Sequence, residues 1–270
     1  MKNLYFSFFA IVLLFNLSCD NKSSEFDNLM DEEEVKNSIE LDTDLDFLET
    51  LSLNEFEREN SRNPQSLPDC VAITVIIQQG FKEITLDFGE GCQIGNKNIS
   101  GIMTLTYDPN IDEQELLITK EYTDLTINQK TINGVKTKLR ELSNQNGNPQ
   151  FTINANININ WESGASLNRE GTRIRERVSG EQGVWSTYVY HLTGNWTNTF
   201  GNGNTYSWEI IDPVVKESIC YFFVSGSLTI EKPNISGVLD YGNGGCDNTC
   251  LLYTSPSPRD RTRSRMPSSA

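Results

Sequence analysis

Phe151-Thr152-Ile153-Asn154-Ala155-Asn156-Ile157-Asn158-Ile159-Asn160-Trp161 alternates apolar and polar residues without a break. Successive side chains of a strand point to opposite faces, so Phe151, Ile153, Ala155, Ile157, Ile159 and Trp161 share one face and the asparagines share the other. One buried face and one wet face is the signature of an antiparallel sheet. The same period continues on both sides. Thr172 to Ser179 reads with Ile174 and Val178 inward and with Arg173, Arg175 and Arg177 outward. Trp185 to Phe200 places Tyr188, Tyr190, Leu192 and Trp196 on one face, with His191 pointing oppositely. Tyr206, Trp208 and Ile210 begin a further strand, and Pro213 marks an edge or a break in it. Upstream, Ile102 to Tyr107 and Leu116 to Ile127 alternate, and Asn133-Gly134 carries a tight-turn signal. No segment between Asp69 and Thr249 has the periodicity of a long helix. The expectation is an all-β domain over residues 69–249, an antiparallel β-sandwich or rolled sheet with enough chain for one sizeable core.

Two related motifs bracket this run: Asp87-Phe88-Gly89-Glu90-Gly91-Cys92 and Asp240-Tyr241-Gly242-Asn243-Gly244-Gly245-Cys246. Each closes a strand-rich segment that opens with a cysteine, Cys70 or Cys220. Gln78-Gln79-Gly80 turns the first segment back on itself, and Lys232-Pro233-Asn234 turns the second. The expected pairing is therefore Cys70 with Cys92 and Cys220 with Cys246, giving two disulfide-stapled hairpins. Closing a loop of about 20 residues contributes roughly 3 kcal/mol in the chain-entropy model. Asp87 and Asp240 read as turn residues whose carboxylates bond nearby amides.

The chain carries a formal net charge of −15. Much of it lies between Asp20 and Asn60, where fifteen Asp and Glu stand against Lys22, Lys36 and Arg58. Runs such as Asp31-Glu32-Glu33-Glu34 repel themselves and extend. Residues 19–68 accordingly read as an acidic tether and linker, largely disordered, with one weak amphipathic helix around Leu45, Phe47, Leu48 and Leu51. Asp42-Thr43-Asp44-Leu45-Asp46 begins like a calcium loop. Phe47 then stands where that loop needs glycine, and Leu53 where it needs a bidentate glutamate. The acidity argues against nucleic acid as a partner.

His191 is the only histidine, there is no paired-cysteine zinc spacing, and no glycine-rich loop opens a helix. No catalytic residue, metal or cofactor is assigned. Arg173, Arg175 and Arg177 form a stripe suited to carboxylates or phosphates, and they are the candidate anion- or glycan-binding residues. Their plainer role is cross-strand pairing with acidic neighbours. Trp161, Trp185, Trp196, Trp208, Tyr188, Tyr190 and Tyr206 could stack on sugars, but in such a sheet aromatics mostly fill the core.

Both ends resemble something other than a fold. Residues 1–18 form a short apolar signal behind Lys2, and Leu17-Ser18-Cys19 resembles the lipobox of bacterial lipoproteins. That resemblance implies lipidation at Cys19 and a membrane partner through the anchor, although Asn16 departs from the usual aliphatic residue. Residues 250–270, from Cys250-Leu251-Leu252-Tyr253-Thr254-Ser255-Pro256 to Ser268-Ser269-Ala270, look like translated sequencing-adapter sequence. They are expected to be a disordered, non-native tail, with the native chain continuing past Thr249.

Asp87 to Cys92, Pro213-Val214-Val215-Lys216 with Cys220, Val224-Ser225-Gly226-Ser227-Leu228-Thr229-Ile230, and Asp240-Tyr241-Gly242 with Cys246 together resemble a group of uncharacterised β-rich lipoproteins of Gram-negative envelopes. The resemblance implies an outer-membrane location, at the cell surface or the periplasmic face, and brings no activity. The functional expectation is a non-catalytic lipid-anchored envelope protein that binds a polysaccharide or another surface component, such as a surface protein. The alternatives are an envelope hydrolase using paired carboxylates and a purely structural spacer.

Overall fold

The computed structural model describes residues 20–21, 30–60, 67–110, 114–233, 235–247 and 249–256. The signal at residues 1–18, the lipidation candidate Cys19 and the end of the tail at residues 257–270 lie outside them.

The alternating stretches form one antiparallel meander in which nearly every strand pairs with its neighbour in sequence. In order the strands are β1 (Asp20–Asn21), β2 (Ala72–Gln78), β3 (Phe81–Asp87), β4 (Cys92–Ile94), β5 (Lys97–Tyr107), β6 (Glu115–Ile127) and β7 (Lys130–Glu141). They continue as β8 (Gln150–Trp161), β9 (Ser166–Ser179), β10 (Val189–Phe200), β11 (Thr205–Glu217), β12 (Ser225–Lys232), β13 (Ile235–Asn243) and β14 (Leu251–Pro256). The result is a single 14-stranded rolled sheet, open between its edges and not a two-layer sandwich. The short β1 adds to β14 in parallel. Local chemistry supports the meander. Gly80 turns β2 into β3 at φ 92°. Bulges interrupt β6 between Tyr122 and Leu125 and β11 around Pro213, the second where the proline signal placed a break. Asn133-Gly134 is not a turn. It sits inside β7, and the Asn133 side chain accepts the Asp124 backbone N–H at 2.8 Å, supporting the β6 bulge.

Both expected disulfides are present, Cys70–Cys92 and Cys220–Cys246, with Cα atoms 5.6 and 5.7 Å apart. The Gly89 and Gly242 N–H groups each donate to the carboxylate two residues before, Asp87 and Asp240, at 2.8 Å. The repeated motif is thus turn chemistry in both copies.

Two regions depart from the sequence reading. The acidic segment is not a disordered tether. Glu32–Asn60 is an α-helix, α1, of 29 residues. Asp31 caps it, accepting the N–H groups of Glu33 and Glu34 at 3.0 and 3.1 Å, and Glu32, Glu33 and Glu34 complement the positive end of the helix dipole. From Leu41 to Phe56 no residue is exposed. A helix buried on every side must be surrounded, and the rolled sheet surrounds it. Phe56 meets Tyr107 of β5, while Met30, just before α1, lies against Gly237 of β13. The second departure concerns residues 250–270. Leu251–Pro256 is no disordered tail but strand β14, paired antiparallel with β13. Cys250 beside it is buried, and none of the described cysteines is free.

Candidate functional site: the charged interior

The sheet sorts its charges by face. Thirteen lysines and arginines lie between residues 69 and 249, and all are on strands. Register places each of them on the face that carries the core. Lys136 and Lys138 share it with Ile132 on β7, Arg169 and Arg175 with Leu167 on β9, and Lys216 with Val214 on β11. Eight are buried and the other five half-buried. Among the described residues every buried carboxylate belongs to α1: Glu34, Asp42, Asp44, Asp46, Glu49 and Glu55.

An α-helix turns about 100° per residue, so Asp42, Asp46 and Glu49 fall on one side of α1 and Asp44 on the other. Each still finds cations, because the sheet reaches both sides. Asp42 is held by Arg169 and by Arg173 at 3.1 Å. Asp44 meets Lys97 at 2.6 Å and Lys130 at 2.9 Å. Asp46 meets Arg175 at 3.0 Å and Lys216 at 3.1 Å. Glu49 accepts from Lys120 at 2.7 Å, lies 3.7 Å from Lys136 and touches Lys138. Lys120 also donates to Ser52 Oγ at 2.6 Å. Nearer the start of α1, Glu34 accepts from the Tyr206 hydroxyl at 2.7 Å and from the Asn202 and Asn204 amides at 2.6 and 3.0 Å.

Four carboxylates therefore face nine cations. The excess shows in the proton affinities. Burial alone would raise the Asp46 carboxyl, but Lys216 and Arg175, with Arg173 behind them, hold it below its usual range. Glu49 is likewise carried well below its usual range, with Lys120, Lys138 and Lys136 overcoming burial. Burial pushes the Lys120 ammonium well down despite Glu49, helped by repulsion from Lys138 and Lys136. It lowers Lys136 too, with Arg173, Lys138 and Arg169 adding to the effect.

Arg173, Arg175 and Arg177 do not face solvent. They lie on the inner face of β9, opposite Gly194, Leu192 and Tyr190 of β10. The outward reading assumed that charge stays wet. Here the partner carboxylates arrive from a helix some 130 residues earlier, at separations of 131 and 129 residues. Each guanidinium also stacks on a β10-side aromatic ring: Arg173 on Trp196 at 4.3 Å, Arg175 on Tyr190 at 4.0 Å and Arg177 on Tyr188 at 4.4 Å. Those aromatics are buried, as are Trp208 and Tyr206, so the core assignment holds for them. His191 points away from Tyr190, toward the outer face beside Glu176.

The sequence reading missed Lys97, Lys120, Lys130, Lys136, Lys138, Arg169 and Lys216 as site residues, and it missed the acids of α1. A signal was there: Leu167 has the same parity as all four arginines of its strand, so a buried leucine and the arginines had to share a face.

Among the described residues no helix is long and apolar enough to cross a membrane, and no group of three or more His, Cys, Asp or Glu could hold a metal ion. Compared with family models, with curated proteins and with solved structures, the chain matches none.

Proposed function

We propose that this chain is a non-catalytic, lipid-anchored protein of the bacterial outer membrane whose rolled sheet binds an anionic envelope component, an acidic polysaccharide foremost. The supporting observation is the placement of all thirteen strand cations on the inner face. A sheet that had only to hold a helix would do so better with apolar contacts, because a buried ion pair is often no more stable than hydrophobic residues of similar volume. Nine cations around four carboxylates carry a desolvation cost that stability does not explain. The same set, backed by stacked aromatic rings, suits a ligand bearing carboxylates or phosphates. Export and anchoring rest on the signal at residues 1–18 and on Cys19, and the two disulfides agree with an oxidising compartment.

The test is made on the mature full-length protein. Labelled fatty acid should enter it and be lost in Cys19→Ala. Calorimetric titration should show binding of a uronic-acid polysaccharide that weakens steeply with salt, and none of neutral dextran. Equal binding of the two polymers would overturn the charge-based reading.

A further inference from the structure

One side of α1 does not close fully onto the sheet. A cavity of about 50 Å³ remains there, lined by Lys136, Arg169, Arg173, Arg175 and Trp196, with Asp46 and Glu49 facing from the helix. It is several times what a single water needs. Sequence choice creates it. Ala155, Gly171 and Trp196 lie side by side across β8, β9 and β10, and a Cβ on Gly171 would come within 2.4 Å of the Trp196 Cα and Cβ. Trp196 packs directly against Gly171, and Ala155 beside it leaves a space that a larger side chain would fill.

Two donors around the cavity stand without a partner, whereas the carboxylate oxygens there that accept no hydrogen bond, Asp46 Oδ2 and Glu49 Oε1, have Lys216 and Lys138 beside them. Arg175 gives one nitrogen to Asp46 at 3.0 Å, but its Nε has no hydrogen-bond partner among the described residues. The Trp196 indole N–H has none either. Both side chains are more than nine-tenths buried, at 3% and 5% exposure. Four cations line the space against two carboxylates, and the third nearby carboxylate, Asp42, is shared by Arg169 and Arg173. An unpaired buried donor is costly, and a buried excess of positive charge more so. The stacking rings fix the Arg173 and Arg175 planes in advance, so an entering acceptor meets donors already oriented. Arg173, with 18% of its side chain exposed, marks the side open to solvent.

We propose that this cavity is a binding site for a single small oxyanion, a carboxylate or phosphate group, received by Arg175 Nε and the Trp196 indole N–H and balanced by Lys136. This deepens the anionic-ligand reading by naming the group taken and where it sits, and it rests on that reading for the ligand's sign. The group can be a free ion or the charged end of a larger molecule.

The experiment is calorimetric titration of the full-length protein in a chloride background with sodium phosphate, sodium acetate and glucose 6-phosphate. Saturable one-to-one binding of phosphate or acetate is expected. Ala155→Leu, which fills the space and leaves every charge in place, should weaken it at least tenfold. Asn156→Leu, one residue along and on the outer face, should leave it unchanged. Trp196→Phe removes the indole donor while keeping an aromatic ring under Arg173 and should weaken binding severalfold, which keeps the test alive if the leucine variant does not fold. Glucose 6-phosphate binding at least as tightly as phosphate identifies the end of a larger ligand, and its exclusion identifies a free ion. Absence of saturable binding, or wild-type affinity in both Ala155→Leu and Trp196→Phe, overturns the proposal. Phosphate binding without polysaccharide binding sinks the polysaccharide-binding reading and leaves the cavity site standing. The reverse outcome sinks the cavity site alone.

Discussion

The two faces of the one sheet solve the problem of polar residues in opposite ways. On the outer face, Asn154, Asn156, Asn158 and Asn160 are exposed, and Asn168 donates to Asn156 and Asn158 at 3.4 and 3.0 Å. Those contacts are local, and the side chains are open to solvent. On the inner face, Lys120, Lys138, Arg169 and Arg175 are buried and depend on carboxylates 71 to 129 residues away in the chain. The outer face tolerates loss because solvent replaces any partner. The inner face does not, since a missing partner leaves a charge in a low-dielectric interior. Period-two alternation specifies both faces equally well, yet only one of them couples distant parts of the molecule.

The comparison breaks hardest at Glu49. Replacing it with leucine strips Lys120, Lys136 and Lys138 of their shared carboxylate, and about 3–5 kcal/mol of stability should go with it. Urea unfolding measures this, with Glu170→Leu on the outer face of β9 as the counterpart; equal losses in the two variants would mean the faces do not differ. Next comes the second staple. Changing Cys220 and Cys246 together to serine should cost about 3 kcal/mol, within the usual range for a native bridge, seen as a lower urea midpoint with a steeper slope, because the unbridged unfolded chain exposes more surface.

A pH series sharpens the comparison further. Asp46 and Glu49 sit below their ordinary values of 3.8 and 4.5. Their contribution is whole above the unfolded values and drains away as pH falls through the folded ones. Lys120 and Lys136 sit below the ordinary 10.5, so the folded protein binds fewer protons than the unfolded one, and stability climbs as pH rises toward that value. Urea midpoints should therefore fall below about pH 4 and rise on the alkaline side as pH climbs toward the ordinary lysine value of 10.5. A flat alkaline limb would show that these lysines keep their ordinary proton affinity. The smallest effect belongs to the wet face: Asn156→Ser should change the unfolding free energy by no more than about 0.5 kcal/mol, and a larger change would give the asparagine ladder a structural part.

Much of the fold could be read directly. Alternation located most of the strands, the repeated Asp-aromatic-Gly motif marked two equivalent turns, and cysteine placement supplied both disulfides. What escaped was everything that depends on partners far apart in the chain. Asp42, Asp44 and Asp46 crowd one short stretch, and in isolation such charges repel. Only a surrounding sheet makes a helix of them. Arg173, Arg175 and Arg177 alternate with Ile174 and Val178, and the usual preference for wet charge chose the wrong face against the parity that Leu167 shares with the arginines. Asn133-Gly134 had the right turn chemistry but was spent on a bulge.

The Asp31 N–H reaches the Tyr206 hydroxyl across 175 residues, which bears on the order of events when the chain is made. Synthesis delivers the amino end first. α1 therefore emerges long before the strands that enclose it; Asp44 and Glu49 have only water and each other until β5 to β7 exist, and Asp42 and Asp46 wait for β9 to β11. Contacts of such long separation form late and slowly. For that interval the segment is the solvated acidic chain its composition describes, and it becomes the axis of the molecule only when the last strands wrap around it.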